Sequence, residues 1–262
     1  MRVSVLADTG GKSRREWLEV LAESARASGD FLRLTFGSAH IESAEGRDMK
    51  LGEDRRSEAL ILSSLTRATT LPVLAEEGGW SGRYTDGLCI VIDPLDGSMN
   101  FKNGVPLCGV SIALCDGLNP LVGCVYDFVR DELFAGGPGL GFFVNGRAIE
   151  PPPPARDILA TGFPLSGPDN AQALQDLGPA LADWRKVRMV GSAALSLAWV
   201  AAGRFDGYAE RGIRYWDVAG GAALVLGAGG SVRIDGPGVE APLSVSAGRD
   251  QATLPALQKP HQ

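Results

Sequence analysis

Two aspartates three positions apart stand in the segment Asp93–Ser98, which reads Asp-Pro-Leu-Asp-Gly-Ser. The apolar run Leu88–Ile92 before it predicts a buried strand, so both carboxylates would lie at a strand's carboxyl end, where α/β proteins commonly bind ligands. Pro94 stiffens the segment and Gly97 turns it, which allows both carboxylates to point at one spot. Their oxygens suit hard cations such as Mg²⁺. Asp-Pro and Asp-Gly are also common in tight surface turns, and the segment alone leaves that alternative open.

Further acids stand where other predicted elements begin or end. Glu76 and Glu77 follow the apolar stretch Leu71–Ala75 and precede two glycines, which places them at another strand end. Asp54 and Asp217 each stand at the start of a predicted helix. Taken singly, the glutamates fit a polar loop entrance and each aspartate fits a helix N-cap. Taken together with Asp93–Ser98, the two glutamates and Asp217 favour a metal centre built from three regions of the chain.

The periodicity of apolar residues predicts the elements that position these acids. Helices are expected from Arg14 to Phe36 and from Asp54 to Thr69, and Asn145-Gly146 predicts a hairpin turn. The other predicted strands are Leu88–Ile92, Val105–Cys115, Leu121–Phe128, Glu132–Ala135, Gly141–Val144, Ile158–Thr161, Val187–Val190, Phe205–Ala209 and Val232–Ile234. The other predicted helices are Ala171–Asp183, Ala193–Ala202 and Val218–Leu226.

Four consecutive prolines, Pro151–Pro154, are the clearest boundary in the sequence. Such a run cannot join a helix and favours an extended connector. We therefore expect an N-terminal α+β half over residues 14–150, which carries most of the candidate metal ligands. Residues 155–250 are expected to form a C-terminal α/β half that carries Asp217.

Composition excludes several function classes. The chain has 262 residues, a net charge of −6 and no basic stretch, which argues against a nucleic-acid partner. No apolar run could span a membrane and the N-terminus lacks an export signal, so we expect no membrane partner and a cytoplasmic location. The chain has only two histidines, His40 and His261, which argues against a histidine-based triad. The four cysteines lack CxxC spacing and fit buried thiols better than zinc ligands or disulfides.

Three blocks of the sequence resemble the inositol monophosphatase family, Mg²⁺-dependent and lithium-sensitive phosphatases whose superfamily includes fructose-1,6-bisphosphatase. These blocks are Ala75–Glu77, Asp93–Phe101 and Trp216–Ala219, the last followed by Ala228-Gly229-Gly230. Val190–Ala194 and Glu210–Ile213 are shorter matches, and the similarity spans roughly residues 15 to 247. The resemblance implies a layered α-β-α-β-α sandwich of the sugar phosphatase type, with the active site between the two halves, and a homodimer.

The resemblance also implies a role for each matching residue. The implied ligands of two or three Mg²⁺ ions are Glu76, Asp93, Leu95 through its carbonyl, Asp96 and Asp217. The implied catalytic residues are Glu76, Asp54 and Ser98, of which the last two would orient the attacking water. The implied substrate contacts are the backbone N–H groups of Gly97 and Ser98, the pocket residues Gly191, Ser192 and Ala193, and Glu210 toward ring hydroxyls. Ions must accompany such a site, because packed carboxylates repel one another and a phosphate.

The chain departs from the family pattern in three places. Ser98 stands where many relatives have threonine, but it keeps the hydroxyl. Ala75 replaces the usual glycine before the glutamates. The stretch Lys50–Asp54 lacks the Val-Thr pair that usually precedes this aspartate, which makes the catalytic role of Asp54 the least supported of the implied roles.

The function that these residues favour is Mg²⁺-dependent hydrolysis of inositol-1-phosphate, or a similar polyol or sugar phosphate, by a metal-activated water. Fructose-1,6-bisphosphatase, histidinol-phosphatase and 3'-phosphoadenosine phosphatase activities remain alternatives. A second substrate phosphate would need basic partners. The candidates, which also fit solvated surface charge, are Arg185, Lys186, Arg211 and Arg214. A non-catalytic regulatory binding protein on the same fold is the alternative from another class.

Overall fold

The computed structural model describes residues 11–45, 48–85, 87–162, 178 and 181–255. Helix α1, Arg14–Thr35, confirms the first predicted helix. It begins at a capping box in which the Ser13 side chain accepts the Glu16 N–H, and it buries Trp17 and Leu21 on one face. Helix α2, Gly52–Ala68, begins two residues earlier than predicted.

Asp54 is therefore the third residue of the helix. It is not the N-cap, the position that it fits when the sequence is considered locally. Leu51 holds the cap position, and its backbone N–H donates to Asp54 Oδ2 at 3.1 Å. The carboxylate still satisfies a backbone donor at the helix N-terminus, from inside the first turn.

An eight-stranded sheet carries the Asp93–Ser98 segment, and a two-stranded hairpin precedes it. The hairpin pairs β1, Ile41–Glu45, with β2, Asp48–Leu51. The strands of the large sheet are β3 Val73–Ala75, β4 Gly79–Ser81, β5 Leu88–Asp96, β6 Gly109–Asp116, β7 Asn119–Asp127, β8 Glu132–Gly137, β9 Gly141–Val144 and β10 Arg147–Ala148. Their order is β10-β9-β8-β7-β6-β5-β3-β4, antiparallel except between β3 and β5.

A five-stranded mixed sheet follows the four prolines. Its strands are β11 Ile158–Thr161, β12 Lys186–Arg188, β13 Gly207–Ile213, β14 Ser231–Asp235 and β15 Leu243–Gly248, in the order β12-β11-β13-β15-β14. Strand β11 pairs in parallel with β12 and β13, whereas β15 is antiparallel to β13 and β14. The division into two halves stays a prediction.

The helices form layers against the two sheets. Helices α1 and α2 pack on one face of the large sheet. Helices α4, Ala193–Ala201, and α5, Tyr215–Gly227, contact strands of both sheets and lie in the layer between them. A short helix α3, Ser98–Lys102, follows β5 directly. The result is an α+β fold with two mixed sheets, and most of the predicted helix Ala171–Asp183 lies outside the described residues.

Close contact between α5 and the large sheet depends on a glycine in β7. A Cβ atom on Gly123 of β7 would lie 2.2 Å from the carbonyl oxygen of Gly220 in α5. No side chain fits at that distance, so glycine allows the helix backbone to approach the strand. Within the described residues, no helix combines the length and apolar character that crossing a membrane requires.

Several predicted boundaries are wrong for local reasons. Strand β6 begins at Gly109 rather than at Val105, because Pro106 lacks an N–H and the Leu107 N–H turns back to the Val105 carbonyl. Strand β13 begins at Gly207, two residues after the predicted start at Phe205. It continues through Glu210 to Ile213, beyond the predicted end at Ala209.

Helix α5 begins at Tyr215, with Arg214 as its N-cap. Asp217 is therefore not an N-cap either. It lies in the first helical turn, where its Oδ2 accepts the Arg214 N–H at 3.1 Å.

Candidate metal and substrate site

Three carboxylates from separate elements meet at the carboxyl end of β5. Glu76 follows β3, Asp93 lies in β5 and Asp217 lies in the first turn of α5. One carboxylate oxygen of each lies within 4.8 Å of the others. The parallel pairing of β3 with β5 brings Glu76 close to Asp93. It aligns Ala75 with Ile92 and lets the Glu76 N–H donate to the Ile92 carbonyl.

The electrostatics of this cluster fit a bound divalent cation. Burial raises the pKa of Asp93 well above its usual range, and the charges of Glu76, Asp96 and Asp217 raise it further. The pKa of Asp217 is raised for the same reasons, first by burial and then by Glu76 and Asp96. Glu76 is exposed and leaves the cluster open on one side. A set of oxygen donors that repel one another is what a hard cation such as Mg²⁺ neutralises.

A β-bulge in β5 separates Asp93 from Asp96 and changes the face on which the second aspartate lies. Asp93 pairs with Ser111 and Asp96 pairs with Gly109, so the register shifts between them. Residues three apart on a regular strand point to opposite faces, and one extra residue restores a common face. Pro94, which the sequence predicts to stiffen this segment, lies within the bulge.

Asp96 lies beside the cluster but is not one of its three members. Its Oδ2 accepts the Ser192 hydroxyl and the Ala194 N–H, each at 2.6 Å, at the start of α4. Burial raises its pKa to about 6, and these hydrogen bonds oppose the rise. Asp96 therefore joins the large sheet to the helix layer, and its predicted role as a metal ligand stays a prediction.

The backbone of the Asp93–Ser98 segment is held on both sides. Asp93 Oδ1 accepts the Leu95 N–H at 3.0 Å, and Ser57 of α2 donates to the Pro94 carbonyl at 2.7 Å. Gly97 has a φ of 84° and caps α3. A Cβ at Gly97 would lie 2.8 Å from the Leu107 carbonyl oxygen, so this turn requires glycine.

The side chain of Asn100, in α3, joins two segments beside the site. Its Nδ2 donates to the carbonyls of Leu107 at 2.7 Å and Val190 at 2.9 Å. The turn that begins with Gly97 and Ser98 is thereby joined to the segment that leads into Gly191, Ser192 and Ala193. No local pattern predicts such a contact, because its partners are distant in sequence.

Asp54 is buried near the cluster. Burial raises its pKa to about 8, with further contributions from Glu76 and Glu77. Its Oδ1 has no hydrogen-bond partner among the residues that the structure describes. Oδ1 therefore makes no hydrogen bond to Ser98, and the catalytic role of both residues stays a prediction.

A cavity of about 330 Å³ opens beside the carboxylates. Six of the predicted site residues line it: Asp96, Gly191, Ser192, Ala193, Glu210 and Asp217. Thr161, Gly162, Ser196, Tyr208 and Ile213 complete the lining. The volume lies at the lower end of the range for small-molecule sites.

Tyr208 and Gly162 line the cavity but are not among the predicted site residues. Tyr208 stands two positions before Glu210 on β13, so the alternation of a strand places both on one face. That signal was available once Glu210 had been singled out. Gly162 had no comparable signal, because its proximity to Glu210 comes from the pairing of β11 with β13.

Comparison with known proteins agrees with this geometry. The model of the inositol monophosphatase family matches residues 13–249. An inositol-1-monophosphatase from Synechocystis is 38% identical over 247 residues, covering 90% of this chain and 84% of that protein. The Nus factor SuhB of Xylella fastidiosa is 36% identical over 90% of this chain and 88% of its own. The crystal structure of the extragenic suppressor protein SuhB from Bartonella henselae superposes with a TM-score of 0.79 at 31% identity, covering 91% and 95% of the two chains.

Proposed function

Because this chain belongs to the inositol monophosphatase family, we propose that it is a Mg²⁺-dependent phosphomonoesterase that hydrolyses inositol-1-phosphate or a similar polyol phosphate. One observation carries the proposal: Asp217 belongs both to the carboxylate cluster and to the cavity that contains Glu210. A phosphate near the cluster and a hydroxyl-bearing group near Glu210 would therefore belong to one bound molecule.

The proposed metal residues are Glu76, Asp93 and Asp217, supplemented by Asp96 and the Leu95 carbonyl, and they would hold two or three Mg²⁺ ions. When bound, such ions lower the pKa of a coordinated water and stabilise the charge on the leaving oxygen. The chain's own residues hold these carboxylates close together, and bound ions would offset the burial and mutual repulsion that raise the pKa values of Asp93 and Asp217.

Two groups of residues are proposed to orient the reactants. Asp54, whose Oδ1 is left without a partner in the described structure, would accept a hydrogen bond as it and Ser98 direct the attacking water. The N–H groups of Gly97 and Ser98 would bind phosphate oxygens at the turn before α3. Gly191, Ser192 and Ala193 would line the substrate cavity. Glu210 would accept hydrogen bonds from ring hydroxyls.

A panel of phosphate esters, assayed with Mg²⁺ and with EDTA, tests this proposal. The panel contains inositol-1-phosphate, fructose-1,6-bisphosphate, histidinol phosphate and 3'-phosphoadenosine 5'-phosphate. We expect Mg²⁺-dependent phosphate release with a clear preference for inositol-1-phosphate. Preference for another ester would assign the activity to that alternative, and undiminished release in EDTA would contradict the metal mechanism.

The similarity to Nus factor SuhB supports a second candidate function, a regulatory binding protein. The Asp93→Asn variant separates the two functions, because it removes a candidate metal ligand and leaves the surface charge of distant regions unchanged. If the regulatory function is the main one, the Asp93→Asn protein would still bind its regulatory partner and would still act as a regulator in the cell. It would do so although it had lost any phosphatase activity. Loss of the biological effect together with activity would favour the enzyme.

We also propose a homodimer in the cytoplasm. Light scattering coupled to size-exclusion chromatography measures the mass in solution. A mass of one chain across the tested concentrations would contradict the dimer.

A further inference from the structure

The carboxylate of Glu210 is held by a buried phenol on its own strand. Tyr208 is 1% exposed, and its hydroxyl donates to Glu210 Oε2 at 2.6 Å. Both side chains line the cavity that also contains Asp96 and Asp217. A hydrogen bond to an ionised carboxylate is stronger than a neutral one, so this contact fixes the position of one carboxylate oxygen.

The neighbouring strand confines the same carboxylate from another direction. The Gly162 N–H also donates to Glu210, which opposes the effect of burial on the Glu210 pKa. A Cβ on Gly162 would lie 2.0 Å from Glu210 Oε1, so only glycine leaves room for the carboxylate. Thr161 fixes this arrangement, because its hydroxyl donates to the Ala209 carbonyl at 2.6 Å between β11 and β13.

A carboxylate held in this way differs from a free glutamate in what it can select. Glutamate loses substantial rotamer freedom when it is immobilised, and a carboxylate that is fixed before binding does not incur that cost when the ligand arrives. The oxygens of a carboxylate offer about four acceptor positions. Tyr208 and Gly162 occupy part of them, and the remainder is available to hydroxyl donors of a ligand in the cavity.

We propose that Tyr208 is a positioning residue that fixes Glu210 so that the site selects phosphate esters bearing ring hydroxyls over esters that lack them. The inference rests on the proposed phosphatase function and deepens it. Tyr208 is not proposed to touch the reacting atoms. It acts through Glu210, at the end of the cavity where the polyol of the substrate would lie.

The test compares Tyr208→Phe with the wild type on two substrates. Inositol-1-phosphate carries ring hydroxyls, and p-nitrophenyl phosphate carries none. We expect KM for inositol-1-phosphate to rise about tenfold, the order of one lost charge-assisted hydrogen bond, while kcat changes little. KM and kcat for p-nitrophenyl phosphate should stay within about twofold of the wild-type values, because that ester makes no use of Glu210.

Two further variants distinguish positioning from a structural role. In a Glu210→Gln background, Tyr208→Phe should add little to the KM effect, because the two residues act as one unit. Tyr126→Phe is the matched control. It removes another buried phenol, one whose hydroxyl donates to Asp131, and it should leave the ratio of the two substrates unchanged.

If Tyr208→Phe does not fold, Gly162→Ala tests the same contact from the other side. It displaces the Glu210 carboxylate without altering Tyr208, and it should reproduce the selective rise in KM. Two results would overturn the inference: equal changes in KM for both substrates, or a Tyr208→Phe effect that adds fully to that of Glu210→Gln. Activity of the wild-type protein would still uphold the proposed function in either case. Absence of hydrolysis of either ester by the wild-type protein would overturn the proposed function and this inference with it.

Discussion

Ser57 offers a quantitative test of how helix α2 supports the metal segment. Its hydroxyl is fully buried and donates to the Pro94 carbonyl at 2.7 Å, between Asp93 and Leu95. It is also hydrogen-bonded to the Ser28 hydroxyl of α1, which is equally buried. Ser57→Ala therefore removes the side-chain partner of a buried carbonyl and of a buried hydroxyl at once.

The expected loss of unfolding free energy is about 1–3 kcal/mol, the usual cost of leaving buried polar groups unsatisfied. For a chain of this size, each kcal/mol lowers the melting temperature by about 2–4 °C. A second effect should accompany the first. Because Pro94 lies between two proposed metal residues, the Mg²⁺ concentration for half-maximal stabilisation should rise severalfold, and a tenfold rise corresponds to about 1.4 kcal/mol of binding free energy.

Thermal melts over a Mg²⁺ titration measure both effects on the same samples. Ser24→Ala is the matched control, because Ser24 is a buried serine that is hydrogen-bonded to the Val20 carbonyl and to the Ser64 hydroxyl and has no described hydrogen bond to the metal segment. It should lower stability without shifting the Mg²⁺ midpoint. If both variants shift that midpoint equally, or neither does, the reasoning that α2 positions the segment is refuted.

Three other outcomes are expected. In EDTA, the raised pKa of Asp54, about 8 when folded, means that its contribution to stability is complete below its ordinary pKa of 3.8 and is lost as pH rises through about 8. Asp54→Asn should therefore melt above the wild type at high pH, and a melting-temperature difference that grows toward low pH would contradict this. Gly123→Ala should unfold at markedly lower denaturant concentration, because its Cβ would lie 2.2 Å from the Gly220 carbonyl oxygen, and an unchanged midpoint would refute the close packing. Asn100→Ala should cost about 1–3 kcal/mol of unfolding free energy, measured by urea denaturation, because the Leu107 and Val190 carbonyls lose their donor, and a loss well below that range would mean that water replaces the amide.

Much of the fold followed from local pattern. The apolar spacing of α1, the strand β9 and the Asn145-Gly146 turn are where the sequence predicts them, and positive φ values at both turn residues match the expected hairpin. These features depend on residues close together in sequence. Strand β15, Leu243–Gly248, was missed although Leu243, Val245 and Ala247 alternate with serines, because the run is short and its pairing with β13 and β14 is set by residues distant in sequence.

The candidate site also combines features that local sequence predicts with features that depend on long-range contacts. The sequence singled out Glu76, Asp93 and Asp217, and the structure brings one oxygen of each within 4.8 Å of the others. It could not indicate that Asp96 would bind the start of α4, or that a bulge would align Asp93 with Asp96. Those contacts join segments that are far apart in the chain or depend on strand register, which no local motif encodes.

We propose that the carboxylate cluster holds the Mg²⁺ on which hydrolysis depends. Its most direct test is a Mg²⁺ titration of phosphate release from inositol-1-phosphate, run with the wild type and with Asp93→Asn. We expect saturable activation of the wild type, no turnover in EDTA, and a loss of at least about a hundredfold in Asp93→Asn at any Mg²⁺ concentration. Turnover that persists in EDTA, or that survives Asp93→Asn undiminished, would contradict it.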